Sequence, residues 1–183
     1  MPRNSVYKIV FAGPVGAGKT TAISSISDIE VVSTEAAASD DVKLLKAKTT
    51  VAMDYGLMKL DSGDQVRLYG APGQKRFDFM WDILSENALG LVLLIRANAP
   101  DPLEDLRTYA EEFRPLIDKT ALVVGVTHFE QVDARMRFRI SDEIARMGLP
   151  PVAMDTDARD RVHVATLVRT LIYSIDPFGA SAV

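Results

Sequence analysis

Cysteine is absent from the 183 residues, which excludes a disulfide framework, a thiolate zinc site and prenylation of a C-terminal cysteine. An excess of positive charge is missing too: 21 Lys plus Arg stand against 25 Asp plus Glu, a formal net charge of −4. Neutralising phosphate needs a basic surface, so neither nucleic acid nor an anionic membrane is expected as a partner. No apolar run nears the roughly 20 residues that cross a bilayer. The longest lies near Leu89 to Ile95, and membrane insertion is not expected. Met1-Pro2-Arg3-Asn4-Ser5 leads into a strand-like segment without the features of a leader, so the expected address is a reducing cytoplasm.

Hydrophobic residues make up 48% of the chain, and charge is spread along its whole length. This suits one globular domain over residues 1–183, with residues 1–5 and 177–183 as loose tails. Short β-rich runs alternate with helix-length amphipathic segments, the pattern of an α/β domain with a mostly parallel sheet. Val51 to Leu60 and Gln65 to Tyr69 flank Asp61-Ser62-Gly63-Asp64, which suits an antiparallel hairpin. Leu89 to Ile95 and Ala121 to Val126 read as central strands buried on both faces. Asp101-Pro102-Leu103-Glu104 starts a helix whose stripe is Leu103, Leu106, Ala110, Phe113 and Ile117. A last helix, from about Asp160 to Ser174, buries Val164, Leu167, Val168, Leu171 and Ile172.

Gly13-Pro14-Val15-Gly16-Ala17-Gly18-Lys19-Thr20 matches G-x-x-x-x-G-K-[ST] and sits between a strand, Val6 to Phe11, and a helix carrying Ala22, Ile23 and Ile26. In that context the glycines let backbone N–H groups and the helix N-terminus converge on phosphate oxygens. Lys19 then reaches the β and γ phosphates, and the Thr20 hydroxyl ligates magnesium. Candidate nucleotide-binding residues are Gly13 through Thr20, with Thr21. A glycine-rich turn that matches by coincidence is the alternative, and the flanking strand and helix weigh against it.

Leu68-Tyr69-Gly70-Ala71-Pro72-Gly73-Gln74, leading into Lys75-Arg76-Phe77-Asp78-Phe79-Met80-Trp81, resembles the third strand and second switch of Ras-like small GTPases. With Thr49-Thr50-Val51-Ala52-Met53-Asp54 upstream, the string is most similar to MglA-type bacterial GTPases, and closer still to relatives encoded in actinobacterial conservon operons. The resemblance runs from about Val6 to Tyr173. It implies a single P-loop NTPase domain with a central sheet of about six strands, helices on both faces and one antiparallel edge hairpin. It also implies GTP or GDP as ligand, with Mg2+. By position it makes Thr50 the first-switch threonine that senses γ-phosphate and metal, Gln74 the residue that orients the attacking water, and Gly73 a nucleotide contact. Lys19, Thr50 and Gln74 are thus the catalytic candidates.

Three departures from the family pattern bear on activity. Gly70 replaces the acid that normally ends the third strand and holds a magnesium-bound water. Asp54 is the nearest substitute, completing a metal set of Thr20, Thr50 and Asp54; the alternative is that Asp54 faces solvent on an edge strand. The base-reading N-K-x-D appears as Thr127-His128-Phe129-Glu130, where Glu130 keeps the acceptor that guanine needs and Thr127 loses an amide. Asp157-Ala158-Arg159 stands where the family's S-A-K loop packs on the base. Finally, Lys48-Thr49 replaces an arginine before the first-switch threonine, so charge neutralisation must come from Lys48, Arg76 or a partner in trans.

Two readings stay open: a GTP-hydrolysing switch, slow on its own, and a nucleotide-binding interaction module with little or no hydrolysis. A nucleotide kinase would share the phosphate loop, but the sequence has no arginine-rich lid. Phe77, Met80, Trp81 and Leu84 make one stripe of the helix after Gln74, and Phe79 and Ile83 lie off it. Those two are either extra core or a docking patch for a protein partner on the switch face, which the resemblance makes a Roadblock-type protein.

Overall fold

The computed structural model describes residues 5–33, 53–73, 79–150 and 152–175. Thr50 and Gln74, like Lys48, Arg76 and Phe77, lie outside these described residues, as do the side chains of Phe79 and Met80. A mostly parallel sheet of seven strands runs in the order β2-β3-β4-β1-β5-β6-β7. The strands are β1 (Val6–Ala12), β2 (Val32–Ser33), β3 (Asp54–Lys59), β4 (Gln65–Gly70), β5 (Gly90–Arg96), β6 (Ala121–Thr127) and β7 (Ala153–Asp155). The expected hairpin is β3 with β4, antiparallel from Asp54 opposite Gly70 to Lys59 opposite Gln65. Its outer side is paired in turn with the two-residue β2, a strand too short to show in the sequence.

Apolar side chains alternate along the central strands, and each face collects its own core. Ile9, Phe11, Val92, Leu94 and Val123 pack with Ala22, Ile23 and Ile26 of α1 (Lys19–Ile26) and with Val164, Leu167, Val168 and Leu171 of α6 (Arg161–Ile175). On the other face Val10, Leu91, Leu93, Ile95 and Val124 meet α2 (Phe79–Ser85), α3 (Pro102–Glu112) and α5 (Ala134–Arg146). Ile83 of α2 is partly buried and packs on that core.

The helix from Asp101 starts as expected, with the Asp101 side chain accepting from the Glu104 N–H and Pro102 in the first turn. It does not run unbroken to Ile117. It ends at Glu112, and a separate turn, α4 (Arg114–Ile117), follows. Pro115 is the cause: it has no N–H for the carbonyl four residues back, and its ring crowds that turn.

Trp81, the chain's single tryptophan, is buried and stacks on Phe113 with ring centroids 5.2 Å apart. Its indole N–H donates to the Pro72 carbonyl at 3.1 Å, so α2 holds the segment that follows β4. Trp81→Phe keeps a ring against Phe113 but leaves that buried carbonyl without its donor. It should lower stability by about 2 kcal/mol, read as the shift in a chemical-denaturation midpoint; an unshifted midpoint would show that the indole bond contributes nothing.

Candidate functional site

The phosphate loop leaves the end of β1 by a path open only to glycine at its sharpest points. Gly13, Gly16 and Gly18 have φ of 137°, 79° and 95°, and a Cβ on Gly13 would lie 2.1 Å from the Leu94 carbonyl oxygen. The turn delivers Lys19 into the interior at the first residue of α1. Its ammonium donates to the carbonyls of Gly13 at 2.7 Å and Pro14 at 2.8 Å. Burial pushes the Lys19 pKa down to about 8, and the Asp54 charge offsets part of that shift.

Gly73 closes on the loop from the β4 side. A Cβ there would stand 2.8 Å from the Val15 nitrogen and 2.9 Å from Lys19 Nζ, so only a glycine can come so close. Its carbonyl accepts from the Tyr109 hydroxyl at 2.6 Å. Tyr109 lies on α3 beside Trp81, with ring centroids 5.4 Å apart. The two aromatic side chains therefore hold the successive carbonyls of Pro72 and Gly73. Burial, with Asp105 nearby, pushes the Tyr109 pKa up to about 12, which keeps the phenol a donor. Neither aromatic residue was singled out for this role from the sequence, where Trp81 reads as part of an apolar stripe.

Asp54 does not face solvent on an edge strand. Its carboxylate accepts a short hydrogen bond from the Thr20 hydroxyl, and it lies directly across the β3–β4 ladder from Gly70. A Cβ on Gly70 would fall 3.1 Å from Asp54 Cβ and 3.2 Å from Oδ2. The space of a side chain at position 70 is thus taken by the Asp54 carboxylate.

Beyond the loop, a cleft of about 470 Å³ runs between Gly16 to Thr21 on one side and the ends of β6 and β7 on the other. Thr127, His128, Glu130, Asp157, Ala158 and Arg159, all anticipated from the sequence, line it together with Gln131 and Thr156, which were not. The Thr127 hydroxyl donates to the Ala17 carbonyl at 3.1 Å, tying the end of β6 to the phosphate loop. Ala158 packs against Gly18, where a Cβ would be 3.0 Å away. Asp157 accepts from Arg159 Nε at 2.9 Å and from a terminal nitrogen at 2.7 Å. That pairing, with the Arg159 backbone N–H, holds the Asp157 carboxyl well below the usual range. Glu130, exposed at the rim, is hydrogen-bonded only by the Gln131 amide, at 3.4 Å, among the described residues, with the Arg159 charge nearby.

No family model matches the chain. It is 21% identical over 173 residues to the intraflagellar transport protein 22 homolog of Xenopus tropicalis, across 92% of this chain and 91% of that one. It also superposes on the crystal structure of a bacterial selenocysteine-specific elongation factor, EF-Sec, with a TM-score of 0.61 at 16% identity. That match takes in 95% of this chain and 30% of the elongation factor. The sheet, the phosphate loop and this likeness show a P-loop GTPase fold. Among the described residues no helix is long and apolar enough to cross a membrane.

The depressed Lys19 pKa has a defined sign. From pH 8, its folded value, towards 10.5, its ordinary one, the unfolded chain binds more protons at this group than the folded chain, so its contribution to stability rises with pH. Nucleotide-free protein should therefore gain stability relative to Lys19→Met between pH 8 and 10, by roughly 1–3 kcal/mol. Denaturation at a series of pH values up to 10, where unfolded Tyr109 begins to ionise, would test it; a constant difference between the two proteins would refute the buried-cation account.

Proposed function

We propose that the chain is a GTP-binding switch that hydrolyses GTP slowly on its own. The observation that carries this reading is the joining of the phosphate loop, Lys19 buried within it, to a cleft that ends at Thr127 to Gln131 and Thr156 to Arg159. The loop's backbone donors and Lys19 take the phosphates. Glu130 is the acceptor left for guanine N1–H and its exocyclic amine, because Asp157 is already bound to Arg159. Thr127 braces the loop through Ala17 instead of supplying an amide.

The residues present fit magnesium. Thr20 offers a hydroxyl and Asp54 a carboxylate beside it, a hard oxygen set of the kind Mg2+ takes together with phosphate oxygens. Once bound, the ion neutralises phosphate charge. Thr50 and Gln74 complete the proposal as γ-phosphate sensor and water-orienting residue, and they rest on the resemblance to MglA-type and conservon-type GTPases. A protein partner of the Roadblock type on the switch face rests on the same resemblance. The non-hydrolysing reading draws support from Gly70 and Thr127, and hydrolysis itself distinguishes the two.

GTP should outcompete ATP in equilibrium binding, and Lys19→Ala should lose at least a hundredfold in GTP affinity, about 2.7 kcal/mol. Single-turnover hydrolysis should be slow yet measurable and fall further in Gln74→Leu. Equal affinity for GTP and ATP would remove guanine from the proposal, and absence of turnover would favour the non-hydrolysing module.

The placement of Asp54 opposite Gly70 gives a sharper test. Asp54→Ala should raise the magnesium concentration needed for tight GTP binding by about tenfold to a hundredfold. Adding Gly70→Asp to that variant should recover much of the loss, since the carboxylate returns to the same space from the partner strand. If the double variant is no better than Asp54→Ala at equal thermal stability, the carboxylate acts by some route other than the metal.

A further inference from the structure

β5 ends at Arg96, one strand over from β1 and paired in register with Thr127 of β6. The carboxyl ends of these parallel strands form the floor from which the phosphate loop rises. Arg96 is partly buried, and one of its terminal guanidinium nitrogens lies 3.0 Å from where a Cβ on Gly16 would be. Gly16 itself lines the cleft. The Arg96 guanidinium makes no hydrogen bond or ion pair among the described residues, although its backbone carbonyl accepts from the Ala99 N–H. Among the described residues, Arg159 of the cleft lining is engaged with Asp157, and Arg161 with Asp28 and the Ser25 carbonyl.

A guanidinium carries five donors and a charge that no ordinary pH removes. Drawing it partly out of water without a partner is unfavourable, and the arrangement makes physical sense where an anion completes it. The nearest backbone is a loop whose own N–H groups and glycine geometry suit phosphate. Gly16 has no side chain, so the guanidinium lies directly against the loop backbone, and any other residue there, at φ 79°, would be strained and would crowd it.

We propose that Arg96 is a polyphosphate-binding cation supplied in cis, neutralising charge on the Gly16 side of the nucleotide while Lys19 acts from within the loop. This rests on the GTP-binding reading. It supplies from β5 a positive charge that the sequence pattern had left to Lys48, Arg76 or a partner, none of which need then be its source in the isolated chain.

The test is calorimetric binding of GTP, GDP, inorganic tripolyphosphate and guanosine to the full chain and to Arg96→Gln and Arg96→Lys. Arg96→Gln should bind GTP, GDP and tripolyphosphate about tenfold to a hundredfold more weakly and guanosine unchanged, with Arg96→Lys between the two. Thermal stability of the nucleotide-free variants should not fall, because no internal partner is lost. Wild-type affinity for GTP in Arg96→Gln overturns the proposal, and so does an equal loss for guanosine, or a binding loss that merely follows a drop in stability. If the parent binds tripolyphosphate but not GTP, the guanine reading fails while the Arg96 comparison stands on tripolyphosphate. If the parent binds neither, both proposals fall together.

Discussion

A buried ammonium at Lys19 sets the terms for everything around it. A cation out of water must be met by oxygen atoms held in place, and here they are the carbonyls of Gly13 and Pro14 in its own loop. Turning those carbonyls inward forces the backbone through positive φ at Gly13, Gly16 and Gly18. It also brings the loop so close to β5 that the Leu94 carbonyl would strike any side chain on Gly13. β1 must therefore lie between β4 and β5 at the centre of the sheet. From that position the neighbouring strand ends deliver Gly73, Arg96, Thr127 and Ala158 around one loop.

The same centre explains how a change at the loop can reach the far face of the sheet. Gly73 touches Lys19 and Val15, and its carbonyl and that of Pro72 are held by Tyr109 and Trp81. Trp81 in turn stacks on Phe113, the residue at which α3 gives way to α4. Moving Gly73 away from the loop thus breaks two hydrogen bonds that end in the apolar core beneath α3. A segment held by two such bonds leaves this position only by breaking them, which is a discrete step and not a gradual one.

The sequence showed much of this because its strongest signals are local. The phosphate loop, the buried runs of β5 and β6 and the capped start at Asp101 each depend on residues within one turn or one strand. Thr127, His128, Glu130 and Asp157 to Arg159 were legible through family resemblance, and the structure gathers them in one cleft. What stayed hidden depends on tertiary neighbours. β2 exists only because β3 presents an edge to it. Tyr109 and Trp81 carry apolar spacing, so their polar atoms gave no sign of a partner at Pro72 or Gly73. Arg96 follows a run of apolar residues and reads as the end of a strand; only the fold puts Gly16 beside it.

The departures from the family pattern take on a common form once register is known. An acid is missing at position 70, yet a carboxylate occupies the same space from Asp54, the residue paired with Gly70 across the β3–β4 ladder. A lysine is missing at His128, and a cation stands close by at Arg96, whose register partner across β5 and β6 is the residue before it, Thr127. Electrostatic interaction depends on where a charge lies and not on which strand carries it. Paired residues in a sheet have their Cβ atoms only about 5 Å apart, so a charge can pass to the opposite strand with little change in the field at the site, provided the vacated position is small enough to admit it. Gly70 meets that condition for the acid, and Gly16, although not a vacated position, leaves the arginine room beside the loop, which makes these two glycines as much a part of the site's electrostatics as the charges they leave room for.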